Sequence, residues 1–369
     1  MNLSARWSIG ILAVAMMWPV QTLRLLRIIG WANSGPAYTF AAVGDIAALP
    51  AGGVAVLERS TAEVRIFDEQ GRFVRALGGR GAAPGSLADP ASIVVHDTLI
   101  TVMDSARASA TVFGIGGTFL GTTDLPSSVR GTPAAAGNAR ALRHGWVLAA
   151  TAPHIADDGS AETHVRVLLA HASSPVDTLR TYASGMVLQR LPSALPTASA
   201  LHAGDAGAWG AGGDSLIVLV DGRAGVVEWL RVESNGAVPW RRVELGWEQR
   251  EITTADRADA LRRLSGRGRR GGRGGRGTRG TPFAGTLITP SFFGAVDDVV
   301  VADDGTAWLR LREGFDATAF WLVVPPDGTS TRQLLMPDGF TPTSVSGRRI
   351  LGLLRERGDA LFVAIYWLG

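Results

Sequence analysis

Two stretches of this chain recur at one spacing, and that recurrence constrains the fold more than any other feature. Val54-Ala55-Val56-Leu57-Glu58-Arg59 is followed 46 residues later by Ile100-Thr101-Val102-Met103-Asp104-Ser105, with apolar residues at matching places and an acid at the same position. Ile66-Phe67-Asp68-Glu69-Gln70-Gly71-Arg72-Phe73-Val74 recurs at the same offset as Val112-Phe113-Gly114-Ile115-Gly116-Gly117-Thr118-Phe119-Leu120. A fixed period of this length marks repeated supersecondary units. Val64, Ile66 and then Phe73 alternate in a way that puts one strand face into a core. Gly71 and Gly117 stand where a tight hairpin demands positive φ. Each unit therefore reads as a four-stranded antiparallel sheet. A lone sheet of this kind cannot bury both faces, whereas several packed radially can, leaving only short edges.

The run Val64-Arg65-Ile66-Phe67-Asp68-Glu69-Gln70-Gly71-Arg72-Phe73 continues through Gly78-Gly79-Arg80-Gly81-Ala82-Ala83-Pro84-Gly85-Ser86-Leu87 to Asp89-Pro90. It resembles the NHL repeat: a hairpin, a glycine-rich connection, and a proline opening the next inner strand. Leu87 takes the place usually held by an aromatic residue. The resemblance implies an all-β fold, a six-bladed β-propeller of four-stranded antiparallel blades with the ring closed by an N-terminal strand. Five or seven blades would also suit the length. Later blades are degenerate: 145–180 suggests a third, 215–245 a fourth, 299–335 a fifth and 340–368 a sixth with room for three strands. A strand near Ala37 to Ala42, paired with Leu361 to Leu368, is expected to complete it. The whole resembles exported six-bladed propeller proteins of Gram-negative bacteria, which implies a periplasmic or secreted location.

Three segments fall outside this rhythm. Residues 1–35 read as a signal peptide or an uncleaved signal anchor, because Arg6 precedes an apolar run from Trp7 to Val20 that is short for a membrane span. The propeller then occupies 36–369. Residues 246–290 read as an insertion, with a capped helix expected to start near Thr253 and run over Ala255 to Leu264. The Arg/Gly-rich segment 265–280 offers no apolar side chain for a core and is expected to be disordered. No aromatic interleaves with its arginines, so nucleic acid is disfavoured as a partner.

Charge and composition exclude several chemistries. The formal net charge of +3 rests on six arginines in 267–279 and on Arg6, Arg24 and Arg27; without these nine the body is mildly acidic. The chain has no cysteine and no lysine. Thiol nucleophiles, Cys-ligated metals, disulfides, Schiff-base lysines and P-loop lysines are thereby ruled out. No histidine pair falls at i,i+4, and no nucleophile elbow is present.

Candidate site residues are few. Propellers that hold calcium or zinc draw ligands from inner-strand ends, which here are Asp45, Ser92, Asp297 and Asp298. The carboxylates Asp45, Asp297 and Asp298 would suit a hard cation such as Ca²⁺, although strand and turn capping explains them as well. No cofactor is expected otherwise. Arg80, Asp104 and Arg107 are candidates for a ligand-binding loop face, and Trp240 and Trp247 for exposed aromatic contacts. Trp146, Trp209, Trp229, Trp308 and Trp321 lie in strand patterns that suit inter-blade core. No catalytic residue stands out, so the balance is against an enzyme. The expected function is a non-enzymatic scaffold of the cell envelope that binds a protein, peptide or glycan. The alternative is a metal-dependent hydrolase or lyase with its site in the central channel. Membrane contact is expected only through an uncleaved N-terminal segment.

Overall fold

The computed structural model of the chain describes residues 23–30, 35–125, 134–155, 161–171, 176–183, 186–190, 197–202, 208–247, 251–256, 258, 286–288, 296–311, 320–356 and 360–369. The apolar run 7–20 and the Arg/Gly-rich segment 265–280 lie outside them.

The first strand is β1 (Leu23–Ile29). Blade 1 follows as β2 (Val43–Ala48), β3 (Val54–Glu58), β4 (Glu63–Phe67) and β5 (Phe73–Gly78). Blade 2 is β6 (Pro90–His96), β7 (Leu99–Asp104), β8 (Ser109–Gly114) and β9 (Phe119–Asp124). Blade 3 is β10 (Ala134–Leu142), β11 (Gly145–Ile155), β12 (Ala161–Ala170) and β13 (Asp177–Ala183). Two accessory strands come next, β14 (Met186–Arg190) and β15 (Thr197–His202). Blade 4 is β16 (Ala208–Gly212), β17 (Leu216–Asp221), β18 (Val226–Glu233) and β19 (Gly236–Glu244), followed by accessory β20 (Thr286–Ile288). Blade 5 is β21 (Val296–Val301), β22 (Ala307–Leu311), β23 (Phe320–Val324) and β24 (Arg332–Leu334). Blade 6 is β25 (Phe340–Ser346), β26 (Arg349–Arg355) and β27 (Leu361–Leu368), with β1 as its outer strand.

Six apolar seams hold the ring together, one between each pair of neighbouring blades. Leu57, Leu77 and Ile93 fill the seam of blades 1 and 2, and Met103, Ala110 and Ala141 that of blades 2 and 3. Val147 and Ile217 join blades 3 and 4, while Trp229 and Leu309 join blades 4 and 5. Trp308 and Tyr366 join blades 5 and 6, and Val56 with Val363 seals blade 6 to blade 1. Trp229, Trp308 and Trp321 are core residues, as their strand patterns imply. The Trp229 indole finds its polar partner across a seam, donating to the Gly305 carbonyl at 2.7 Å.

The strand that completes blade 6 lies earlier than expected. β1 pairs antiparallel with β27 from Leu23↔Leu368 to Ile29↔Val363. The stretch Ala37 to Ala42 contributes only a bridge between Phe40 and Leu361. The reason is side-chain content: Ile29 is buried in the seam between blades 6 and 1 with Ile28 and Leu23 packed in the next seam. Pro36 instead opens a short 3-10 turn. The insertion also holds structure of its own. β20 pairs with β14, which pairs with β15, in a small three-stranded sheet built from two separate excursions. The expected helix start is present, with Thr253 and Asp256 bonded reciprocally as a capping box.

Candidate functional site

Four of the six inner strands carry the same irregularity. The β2–β3 register slips between Val43 and Asp45, β6–β7 between Pro90 and Ser92, β21–β22 between Val296 and Asp298, and β25–β26 between Pro342 and Ser344. Each slip is a bulge of one residue near the start of the inner strand, and a bulge re-aims the side chain that follows it. That following residue is polar every time: Asp45, Ser92, Asp298 and Ser344. Blade 3 reaches the same level through a longer irregularity between Ala134 and Ala139, and β16 of blade 4 runs unbroken.

These residues join blades around the channel. The buried Asp45 accepts the Ile46 amide at 2.9 Å on Oδ1 and the Ile93 amide of blade 2 at 3.0 Å on Oδ2. Arg140 of blade 3 donates to that same Oδ2 at 2.8 Å. Ser92 Oγ donates to the Ala139 carbonyl. In blade 5, Asp298 Oδ1 accepts the Val299 amide at 2.9 Å, and Arg310 lies 3.7 Å from the Asp297 carboxylate. Arg140 also acts electrostatically on Asp298. Blades 1, 3 and 5 alternate around the ring, and Arg140 of blade 3 reaches past blade 2 to the carboxylate of blade 1.

Burial and charge set the protonation of this group. Burial pushes the Asp298 carboxyl up, and neighbouring Asp297 pushes it further; Arg310, the Val299 amide and Arg140 offset this only in part. Burial likewise holds Asp45 above the ordinary carboxylate range despite Arg140 and two amides. The channel thus holds two carboxyl groups raised above the ordinary carboxylate range, with two guanidiniums near them.

The opposite ends of the inner strands meet over the channel. His96, four residues past Ser92 and so about 13 Å along the strand, places Nδ1 at 2.5 Å from Oδ1 of Asp214 in the β16–β17 turn. Its Nε2 is 3.3 Å from Asp97. The Arg143 amide, in the β10–β11 turn, donates to the Asp214 carbonyl at 2.7 Å. Turns of blades 2, 3 and 4 are thereby tied at one mouth.

The other sequence candidates sit elsewhere. Arg80, Asp104 and Arg107 are brought together on the connection between blades 1 and 2. Asp104 is 1% exposed and accepts the amides of Ala88, Asp89 and Arg107. Arg80 donates to the carbonyls of Ala88, Arg59 and Ser60, and Arg107 to those of Ser86 and Gly81. Glu58 serves blade 1 in the same way, accepting the amides of Ala41, Ala42 and Ser60. Trp240 and Trp247 are half-buried on blade 4. Arg231 and Arg241 lie over the Trp240 ring at 4.9 and 5.5 Å, and the Trp247 indole donates to the Gly222 carbonyl.

Sequence reading missed Arg140, Arg310, His96 and Asp214 as a set. Arg310 was findable, since it lies opposite Asp298 in a recognisable hairpin. Among the described residues no group of three or more His, Asp or Glu gathers in a way that could hold a metal ion. Asp297 and Asp298 come from one strand, Asp45 is taken up by Arg140 and two amides, and two guanidiniums stand near. This donor set falls short of the roughly six to eight oxygens that Ca²⁺ takes.

Solved structures match the chain at low identity. A protein of Bacteroides fragilis described as exported matches with 10% identity and a TM-score of 0.48, over 95% of each chain. Virginiamycin B lyase of Staphylococcus aureus matches with 10% identity and a TM-score of 0.40, over 95% of this chain and all (100%) of its own. The calcium-binding protein regucalcin of Agrobacterium tumefaciens matches with 11% identity and a TM-score of 0.43, over 94% of this chain and 95% of its own. The balance against an enzyme is corrected by these matches. The matched structures include lyases. No curated protein sequence matches the chain. A family model described as a 6-bladed beta-propeller matches residues 42–139, in agreement with the six seams counted above.

Proposed function

We propose that the central channel is an active site for hydrolysis or elimination on a small polar substrate, with Asp298 as the proton-transfer group. One observation carries this reading: equivalent inner-strand bulges re-aim Asp45 and Asp298, and each has a guanidinium near it, Arg140 donating to Asp45 and Arg310 lying beside the adjoining Asp297. A carboxyl raised by burial and by a neighbouring acid exchanges protons nearer neutral pH than an ordinary one. In its neutral form Asp298 hands a proton to a leaving oxygen; once ionised it takes one from water or from an acidic carbon. Arg140 and Arg310 hold the negative charge that develops on the substrate. The polar post-bulge residue Ser344 supplies a hydrogen bond that orients it, while the buried Ser92 hydroxyl is held by the Ala139 carbonyl. Read with the export-like segment 7–20 and the NHL-like blades, the enzyme works in the cell envelope.

The test is turnover of a panel of lactones, esters and uronide-type elimination substrates by the full chain, its Asp298→Asn variant and its Arg140→Gln variant. Loss of roughly a hundredfold or more in Asp298→Asn is the expected size for a general acid–base group. Undiminished turnover in that variant, with circular dichroism unchanged, overturns the assignment. Adding Ca²⁺ or a chelator during thermal melts tests a cation in the same place, since a ligand bound only by the native state raises the melting temperature.

A further inference from the structure

Six of the nine large apolar side chains that the described residues expose stand on the outer strands of three consecutive blades: Leu25, Leu26, Phe73, Val74, Phe119 and Leu120. Leu25 and Leu26 are neighbours on β1, yet both face outward, because the β1–β27 register slips between Leu25 and Arg27. Phe73 with Val74 and Phe119 with Leu120 are the first two residues of β5 and β9, at equivalent places in the repeat. Scattered apolar exposure needs no explanation, but six such side chains on three adjoining outer strands do.

Strand direction places the band at one end of the ring. Phe73 lies opposite Phe67, the last residue of β4; Phe119 lies opposite Phe113 near the end of β8; Leu23 lies opposite Leu368, the last residue of β27. All three outer strands therefore start from the same side of the propeller. The blades are tied together there, Arg27 donating to the Gln70 carbonyl and Arg75 to the Gly116 carbonyl. Residues 1–22, with the apolar run Trp7 to Val20, join the propeller at Leu23, at this same end. Exposed Arg24 and Arg75 stand among the apolar side chains.

We infer that this end of blades 6, 1 and 2 is a membrane-facing surface, seated on an anionic lipid bilayer into which residues 1–22 lead. Two signals, an apolar segment and an adjoining apolar–basic surface, hold a protein at a bilayer better than either alone. Seating fixes the orientation of the ring as well as its location.

The native absence of cysteine makes the test clean. Single Val74→Cys and Leu120→Cys variants of the full chain are labelled with an environment-sensitive nitrobenzoxadiazole dye. Val238→Cys and Leu335→Cys, on exposed positions of blades 4 and 5, serve as controls. Each is added to vesicles of phosphatidylcholine and phosphatidylglycerol. The expected result is flotation with the vesicles, with a blue shift and loss of aqueous quenching at 74 and 120 only. A chain that floats while 74 and 120 stay as wet as 238 and 335 overturns the proposal, as does a chain that does not float. A blue shift without vesicles also overturns it, by assigning the surface to a second copy.

Discussion

Arg140 on blade 3 donates to the Oδ2 of Asp45 on blade 1 at 2.8 Å, and the Ile93 amide of the blade between them donates to the same oxygen. The contact links alternate blades through the channel rather than along a seam. It also leaves a buried carboxylate dependent on one cation. The Arg140→Met variant is expected to lose about 2 kcal/mol at neutral pH. That is less than the ~3–5 kcal/mol for breaking a fully buried pair, because the Arg140 side chain is 30% exposed. Without Arg140 the Asp45 carboxyl rises further, so the deficit shrinks as pH falls and Asp45 protonates. Urea melts at pH 7 and pH 4 measure the difference.

Asp298→Asn is expected to stabilise the protein while removing activity. A carboxyl held above its ordinary range binds more protons when folded than when unfolded. Its contribution is therefore most favourable at low pH, and it is lost as pH rises from the ordinary carboxylate value through the raised one. The amide has no such cost, and its oxygen can still accept from Val299. Above that window the variant should melt higher than the wild type by a few degrees, and below it the two should converge. Equal melting profiles at every pH would show that Asp298 is solvated as an ordinary surface carboxylate.

Gly212→Ala tests how closely blades 4 and 5 approach. A Cβ at Gly212 would stand 2.4 Å from the Val301 carbonyl oxygen, a backbone atom that cannot swing away. Gly210 faces the Val299 carbonyl in the same manner, at 2.6 Å. The inner strands β16 and β21 must part to admit either methyl, at a cost of about 2–3 kcal/mol, in the range of overpacked cores. Chemical denaturation should show a lower midpoint with an unchanged slope. A neutral Gly212→Ala would mean that this seam yields.

Starting the chain at Ser34 removes β1 and leaves the β27 edge unpaired. Ile29 is 2% exposed, and Leu23 and Ile28 pack on neighbouring core, so several apolar side chains lose their burial together. At roughly 2 kcal/mol for each fully buried aliphatic side chain, the loss is about 5 kcal/mol. That corresponds to a melting temperature lower by roughly 10 °C. Size-exclusion chromatography should also show association through the open edge. A chain starting at Leu23 should keep both its melting temperature and its elution volume.

Legibility in the sequence followed the turns. Blades 1 and 2 could be read because Gly71 and Gly117 mark hairpins between alternating apolar residues, and the Pro90 that opens β6 marks the next inner strand. β10 could not. Its sequence Ala-Ala-Ala-Gly-Asn-Ala-Arg-Ala-Leu has little apolar alternation, and Arg140 was hidden with it. β1 reads Leu-Arg-Leu-Leu-Arg-Ile-Ile, which looks like a continuation of the apolar run before it. Only its pairing with a strand at the far end of the chain reveals it. Asp298 was visible as an inner-strand position, but its protonation depends on Arg310 and Arg140, which arrive from another strand and another blade. Arg80, Asp104 and Arg107 carry the polarity of a binding loop, yet they satisfy the backbone of the connection they flank.

The pairing of β1 with β27 has a temporal consequence. The partner of β1 is synthesised only after the five intervening blades, so Leu23 to Ile29 wait with their edge unmet until then. Non-local contacts of this reach slow folding and prolong exposure of sticky intermediates. Blades 1 to 5 can assemble in order as they emerge, but the circle becomes one cooperative body only when β27 arrives. A nascent chain halted before Leu361 is an open arc, and a holdase that shields Leu23 to Ile29 until then would raise the yield of native protein.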